Sequence, residues 1–471
     1  MNRGLILISP IILVRLLTVT DYGRYREFLI YAMLLTGIGT SGINSSLLRF
    51  IPHQPELGWQ FVNQSIAMTA ATSFALSAVV LTLNSIFDGW LIPEYGLLVV
   101  VYSFLFVNFD FWEYLWIAEQ RPLLIWRYST GRLVARILVV TIAAALTRDL
   151  DVIVWSLVIL ETIRIIAAMF AWRRRDRQSS LHGFGPGLWR ERVRYSLPFG
   201  VALALVTLNK QMGNLFVAKM MGPIALAHYA IGTYAQPITM VMRNSLSDVL
   251  LGEMAKRERD TQADRLLLFR RTTVVTAIFL VPCGILLARF AEIIVVTLFS
   301  DEYRPAVLIF QIYAVVLLRD IVDFGVPLRA INVTAPIMHS NLIAIIINGL
   351  LLLVLLPTLG LVGAVLAFVI SRLLEGWYLG VQIMRTYNAA LSELASWTDL
   401  LKIAAAGALA ALLLYGSFWT QTLGLFGVLA GSVLYLLAFV YLLWQLRIPE
   451  ASLLLRQVRG YSRSLLTRLQ S

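Results

Sequence analysis

The residues with the types and spacing for chemistry are charged groups set inside apolar runs. Lys210 lies among Asn209, Gln211 and Asn214 in the middle of one such run, and Arg243 lies in the next. Asp110 and Glu113 share a helical face of another, while Arg132 and Arg136, four residues apart, fall at similar depth on the run that follows it. A charge at the centre of a membrane span costs roughly 2.5–3.5 kcal/mol on insertion scales, so such groups pair with one another or line a wet cavity. Four pairs are available within single helices: Glu161 with Arg164, Arg289 with Glu292, Arg372 with Glu375, and Arg319 with Asp323. The group of Asp110, Glu113, Arg132 and Arg136 admits two readings. One is a buried ion-pair cluster; the other is a protonatable carboxylate pair beside a cavity lined by the arginines. Lys210 has no carboxylate at matching depth on the adjoining span. It therefore takes an acid from another helix or meets an anionic ligand in a hydrated cavity, and the second is the expectation. Arg243, with no close acid in the sequence, is a weaker candidate of the same kind.

The elements that position these groups follow from composition. Of 471 residues 59% are hydrophobic and 14% charged, against about 45–50% and 25% in a soluble domain. The mean hydropathy of +0.77 comes from apolar runs of about 20 residues that recur along the chain, which predicts an all-α integral membrane protein and excludes a soluble enzyme. Breaking the runs at Pro, Gly and charge clusters gives fourteen spans. They include 4–17, 93–118, 123–146, 196–220, 224–250, 304–327, 335–356 and 361–384. The net charge of +12 is almost all arginine, only four of the 39 basic residues being lysine. One set of alternate connections carries Arg173, Arg174, Arg175, Arg177, Arg190, Arg192 and Arg194, then Lys256, Arg257, Arg259, Arg265, Arg270 and Arg271. The other set is nearly bare, so both termini are expected to be cytoplasmic and no nucleic acid is needed to explain the charge.

Other motifs carry less. Gly37-x-Gly39-x-x-Gly42 matches a dinucleotide fingerprint, but it lies inside an apolar span with no βαβ unit around it, so close helix packing is the expectation. The lone Cys283 forms no internal pair, and His53, His182, His228 and His339 are too scattered to suggest a metal site. No nucleophile elbow or P-loop is present; no catalytic residue and no metal is expected. Two amphipathic basic stretches, 449–469 and Leu188 to Arg194, read as anchors on an anionic leaflet.

Arg15-Leu-Leu with Tyr25 and Lys219-Met-Met with Tyr229 repeat at an offset of 204 residues. This predicts two homologous halves, a common design of membrane transporters that hold substrate between repeats. The expected organisation is an N-lobe over 1–172 and a basic cytoplasmic linker over 173–195. A C-lobe over 196–385, two extra spans within 386–446 and a basic tail over 447–471 follow. By this offset the first helix, 4–17, is shorter than its counterpart.

Arg15-Leu-Leu-Thr-Val-Thr-Asp-Tyr-Gly23, Ser46-Leu-Leu-Arg-Phe-Ile-Pro52, Tyr195-Ser-Leu-Pro198, Lys219-Met-Met-Gly-Pro223, Leu298-Phe-Ser-Asp-Glu-Tyr303, Leu328-Arg-Ala330 and Pro357-Thr-Leu-Gly-Leu-Val-Gly-Ala364 occur in an order and spacing that carry a resemblance. The chain resembles the polysaccharide-export flippases, including the Wzx-type O-antigen and exopolysaccharide flippases, of the multidrug/oligosaccharidyl-lipid/polysaccharide exporter superfamily. The resemblance departs at Gly213, where the family often has Asp, and in the short first helix.

What the resemblance implies is a pair of six-helix lobes in a bacterial inner membrane that moves a polyprenyl-pyrophosphate-linked oligosaccharide by alternating access. No bound cofactor is implied, with H+ or Na+ as the coupling-ion candidates. Lys210, Arg243, Arg132, Arg136, Asn209 and Asn214 are the expected cavity residues for the pyrophosphate, and Asp110 and Glu113 the ion-coupling candidates. A polysaccharide polymerase and glycosyltransferases are the expected protein partners, with membrane lipids around them. The alternatives are a lipid II flippase, a cation-coupled drug exporter and a non-transporting scaffold of a glycan-assembly complex.

Overall fold

The structure is a computed structural model that describes residues 8–40, 42–87, 95–176, 186–236, 243, 246, 247, 250, 262–331, 333, 335–414 and 424–451. Most of the amphipathic tail, Arg177, and the connection holding Lys256, Arg257 and Arg259 lie outside these residues. Every described element is a helix. In chain order they are α1 (Ile8–Leu16), α2 (Val19–Thr40), α3 (Ile43–His53), α4 (Gly58–Ile86), α5 (Gly96–Val107), α6 (Trp112–Ala118), α7 (Pro122–Thr147), α8 (Leu150–Asp176) and α9 (Pro186–Gly232). Then follow α10 (Gln262–Arg289), α11 (Ala291–Leu298), α12 (Val307–Val316), α13 (Gly325–Ala330), α14 (Ala335–Tyr387), α15 (Leu391–Leu394), α16 (Trp397–Ala411) and α17 (Gly424–Gln445).

The helices are inside out relative to those of a soluble protein. On α7 the exposed stripe is Leu123, Trp126, Val134, Leu138, Ile142 and Leu146, while Arg132 and Arg136 face inward with Val140 and Ala144. In water this would expose apolar area at high cost; in a bilayer it places the apolar stripe in lipid and the charges inside the protein. On α14 Ser340 and Asn348 are buried while Ile346, Leu350 and Val354 are exposed, in the same sense.

Eleven helices among the described residues are long and apolar enough to cross a membrane. One of them is α14, whose 53 residues would reach about 80 Å if straight. It is not straight. Gly360 has φ 60°, and a side-chain carbon added at Gly363 would lie 1.9 Å from the Leu355 carbonyl oxygen. Residues eight apart in a straight helix are about 12 Å apart, so the chain reverses here and makes a hairpin of predicted spans 335–356 and 361–384. A similar turn interrupts α9 at Gly222, φ 81°.

The chain divides into two compact units, Met1–Ala227 and His228–Ser471. In the first, the repeated motifs meet: a side-chain carbon at Gly23 would lie 2.0 Å from the Pro223 carbonyl oxygen, so only glycine permits this backbone approach. Gly37 likewise faces Thr207, in agreement with close packing rather than nucleotide binding.

The start of α9 corrects one expectation. Arg192, read as part of a surface anchor, is fully buried in the first unit. Its Nη1 donates to the Phe61 carbonyl (2.7 Å) and Gln64 Oε1 (3.2 Å), and its Nη2 to Ser46 Oγ (2.9 Å) and Ser65 Oγ (2.6 Å). Phe50 and Phe61 lie within 6 Å of the guanidinium carbon and add cation–π attraction. Arg190 and Arg194 remain exposed, so the sequence pattern is amphipathic but one arginine points into the bundle. Arg192→Met removes four hydrogen bonds from a charged donor, worth about 1.5–3 kcal/mol each before the relief of a desolvated charge. The expected outcome is a melting temperature several degrees lower for the detergent-solubilised variant. Lysine at this position recovers little of it, lacking the planar fork; an unchanged melting temperature would contradict the account.

Candidate functional site

The fourth predicted span, 93–118, is not one helix. It stops at Val107, takes an extended residue at Asn108 and a left-handed one at Phe109 (φ 57°), and resumes at Trp112 as α6. The local cause is Asn108-Phe-Asp110 in an apolar run, since Asn and Asp side chains compete for backbone groups. The Asn108 amide donates to the Phe104 carbonyl (2.8 Å) and to Ser73 Oγ (2.9 Å). A break inside a membrane leaves carbonyls that water cannot satisfy. Here Arg164, from α8, takes them: its Nη2 donates to the carbonyls of Leu105 (2.5 Å), Phe106 (3.1 Å) and Asn108 (3.1 Å), and its Nη1 lies 3.5 Å from that of Phe109. Its Nε donates to Glu161, one turn earlier on α8.

The ion cluster continues from there. Arg132 pairs with Asp110 and, at 3.5 Å, with Glu161, and its guanidinium lies over the Phe106 ring. Glu113 accepts from Ser129 rather than sharing a proton with Asp110. The two acids have separate partners, Arg132 for Asp110 and Ser129 for Glu113. The geometry matches the buried ion-pair reading of this group.

Arg136 differs from Arg132. It lies beside Tyr25 and lines a cavity of about 220 Å³ in the first unit, together with Tyr25, Arg26, Tyr22, Met33 and residues of α1 and α7. Among the described residues no carboxylate lines this cavity. Lys210 is exposed on α9 and makes no ion pair among the described residues. Its neighbour Gln211 reaches Met33 Sδ at 3.5 Å, which ties this stretch of α9 to the helix that walls the cavity. Asn214 donates to Gln211 Oε1 (3.0 Å), and Asn209 is half-buried.

The expectation that Arg243 lacks a close acid is corrected. The residue has two acids close by, Asp323 at 3.2 Å and Asp320 at 3.6 Å. Sequence reasoning assigned Asp323 to Arg319 by helical spacing. The chain from Leu317 to Ile321 is a 3-10 turn and Val322 is extended, so the i,i+4 geometry is lost and Arg319 meets Asp320 instead (3.4 Å). Arg372 pairs with Glu375 and with Asp320, Arg329 with Asp323, and Ser247 donates to Asp323 (2.8 Å). Glu292 pairs with Arg304, and Arg289 donates to the Leu414 carbonyl.

The two units thus repeat one arrangement. Spans 93–118 and 304–327, the fourth and tenth predicted, are both broken in mid-course and both carry acids three residues apart at the break, Asp110 with Glu113 and Asp320 with Asp323. An α8 pair, Glu161 with Arg164, serves the first break, and an α14 pair in reverse order, Arg372 with Glu375, serves the second. Discontinuous helices at corresponding places are a mark of transporter repeats.

The described residues form a multi-pass helical membrane protein with two units and discontinuous helices. A model of the family described as polysaccharide biosynthesis protein matches residues 12–308, and the chain belongs to that family. Solved structures share its fold. They include "Lipid II flippase MurJ, inward closed conformation", with TM-score 0.65, 14% identity, and 94% of this chain and 97% of that one covered. An inward-facing multidrug resistance MATE family transporter of the MOP superfamily gives TM-score 0.59 at 11% identity, with 82% and 95% covered. A point mutant of the Vibrio cholerae MATE transporter VcmN gives 0.51 at 13% identity, with 83% and 94% covered. No curated protein sequence matches the chain. The fold is that of MOP-superfamily transporters.

The first cluster predicts a double-mutant result. Asp110→Ala leaves Arg132 and Arg164 sharing Glu161, an uncompensated buried charge that costs about 3 kcal/mol. Adding Arg132→Met restores neutrality around Glu161 and Arg164, so thermal stability in detergent should recover by more than half. Additive losses in the double variant would show that the two residues do not interact.

Proposed function

We propose that this protein is a flippase for a polyprenyl-pyrophosphate-linked oligosaccharide. It carries the head group by alternating access from the cytoplasmic to the outer leaflet of a bacterial inner membrane, with both termini cytoplasmic, in assembly of a surface polysaccharide such as O-antigen or exopolysaccharide. Lobes over 1–172 and 196–385 move about the linker in this reading. The observation that carries it is positive charge without carboxylates: Arg26 and Arg136 line one cavity that has none, and Lys210 stands exposed in a span. Membership of a polysaccharide biosynthesis family points the same way. Two arginines with two tyrosines suit a phosphate, whose oxygens accept bidentate guanidinium bonds. Arg132 and Arg243, named with them from sequence, are engaged with acids and serve the scaffold.

A drug exporter for cations needs free acids in its cavity. Of the membrane-embedded carboxylates, Asp110, Glu161, Asp320, Asp323 and Glu375 are held by arginine and Glu113 accepts from Ser129, which disfavours that reading. Movement of about two negative charges outward gains roughly 4 to 5 kcal/mol per 100 mV of inside-negative potential. The potential alone then drives transport, and Asp110 and Glu113 carry no coupling ion. The fold similarity to the lipid II flippase supports a second substrate, lipid II, with the same phosphate chemistry.

Two experiments test this. Deletion of the gene should strand one polyprenyl-linked oligosaccharide, identified by mass spectrometry; stranded lipid II selects the second substrate, and no change in any lipid-linked saccharide refutes the flippase reading. Lys210→Ala and Arg136→Ala should each lower export about tenfold or more, the value of one charge-assisted phosphate contact, at unchanged membrane abundance. Normal export by both would remove the site assignment.

A further inference from the structure

The break in span 93–118 is a cup of oxygens. The carbonyls of Leu105, Phe106, Asn108 and Phe109 and the carboxylate of Glu161 all point at one centre, and the centre is the Arg164 guanidinium. Carbonyls and carboxylate alone are the donor set of a hard cation, and unwound carbonyls of discontinuous helices in transporters coordinate dissociable ions. Glu161 is almost fully buried and the Arg164 side chain is 9% exposed.

We infer that Arg164 is a tethered cation: it permanently fills a cation seat built by the broken helix, so that the first unit keeps its break without a dissociable ion. Three features carry this. The guanidinium meets carbonyls of the last turn of α5, Leu105 and Phe106, and those of Asn108 and Phe109 within the break, so it fixes the backbone of the bend itself. The seat is charge-balanced only with the side chain in it, since without Arg164 the acids Asp110 and Glu161 share Arg132 alone. The fork also matches the seat's shape, with one nitrogen on the carboxylate and two on the carbonyls. Arg164 is a positioning residue in this account. The inference concerns the scaffold cation and is independent of which head group the protein moves.

The test is chemical rescue read by stability rather than transport. Purified Arg164→Ala, in detergent, is melted in guanidinium chloride at low concentration, about 10 mM, and in the same concentration of choline chloride. An occupant at ten times its dissociation constant raises the melting temperature by about 2 to 4 °C. Guanidinium should produce this rise in Arg164→Ala, while wild type and Arg164→Lys, whose seats are filled, should not respond. Equal shifts in all three proteins, or none in Arg164→Ala, overturn the inference. If Arg164→Ala is not recovered folded in choline, membranes are extracted in both salts and the monodisperse fraction is measured. Recovery in guanidinium alone supports the seat, and recovery in neither overturns it.

Discussion

The constraint on which the rest of the structure depends is a helix broken inside the membrane. At the bend of span 93–118 several carbonyls lose their helical partners where no water replaces them, at about 1–3 kcal/mol each by protein measurements. One guanidinium answers four of them. That solution in turn imposes the next, because a buried cation needs an acid: Glu161 balances Arg164, Arg132 approaches Glu161, and Asp110 balances Arg132. Each charge in the cluster follows from the one before it, and the first follows from the break.

This explains the scarcity of lysine better than loop charge does. A lysine offers three donors on a flexible stem, whereas an arginine offers five in a plane and stays charged when buried. Wherever one side chain must satisfy several fixed oxygens, arginine stands: Arg164 at the break, Arg192 among two serines, a glutamine and a carbonyl, Arg372 between Asp320 and Glu375. The lysine that lies in mid-span, Lys210, is exposed. Arg164 and Arg372 are paired with acids and Arg192 is enclosed among neutral acceptors, whereas Lys210 is exposed and makes no ion pair among the described residues.

Much of this was legible in the sequence. Apolar runs of membrane length predicted a multi-pass helical membrane protein, and Glu161 with Arg164 and Arg372 with Glu375 pair as their spacing requires. What was not legible came from irregular backbone. Helical spacing assigned Asp323 to Arg319, and that assignment fails because the α-helix gives way to a 3-10 turn and an extended residue between them; the spacing of Asp110 and Glu113 gave no sign that each has a partner of its own. The warning was present as Asn108-Phe-Asp110 and as Asp320-Ile-Val-Asp323-Phe-Gly325, polar residues that favour turns inside apolar runs. Arg243 was missed for a different reason: its acids are about eighty residues away in the chain, and only folding brings them within 3.6 Å. Arg192 followed an amphipathic pattern that gives no sign of which arginine turns inward.

The two breaks are related by position rather than by residue. Each falls in the fourth of six predicted spans and carries acids three residues apart, yet the first is closed mainly by an arginine on backbone carbonyls and the second mainly by arginines on aspartates. The pair on the sixth span has its charges in opposite order in the two halves. The contacts at the two breaks differ while the discontinuity is common to both. The broken helix is therefore the feature under constraint, and the charges around it are two local answers to one question: how a membrane helix can bend without leaving its backbone unsatisfied.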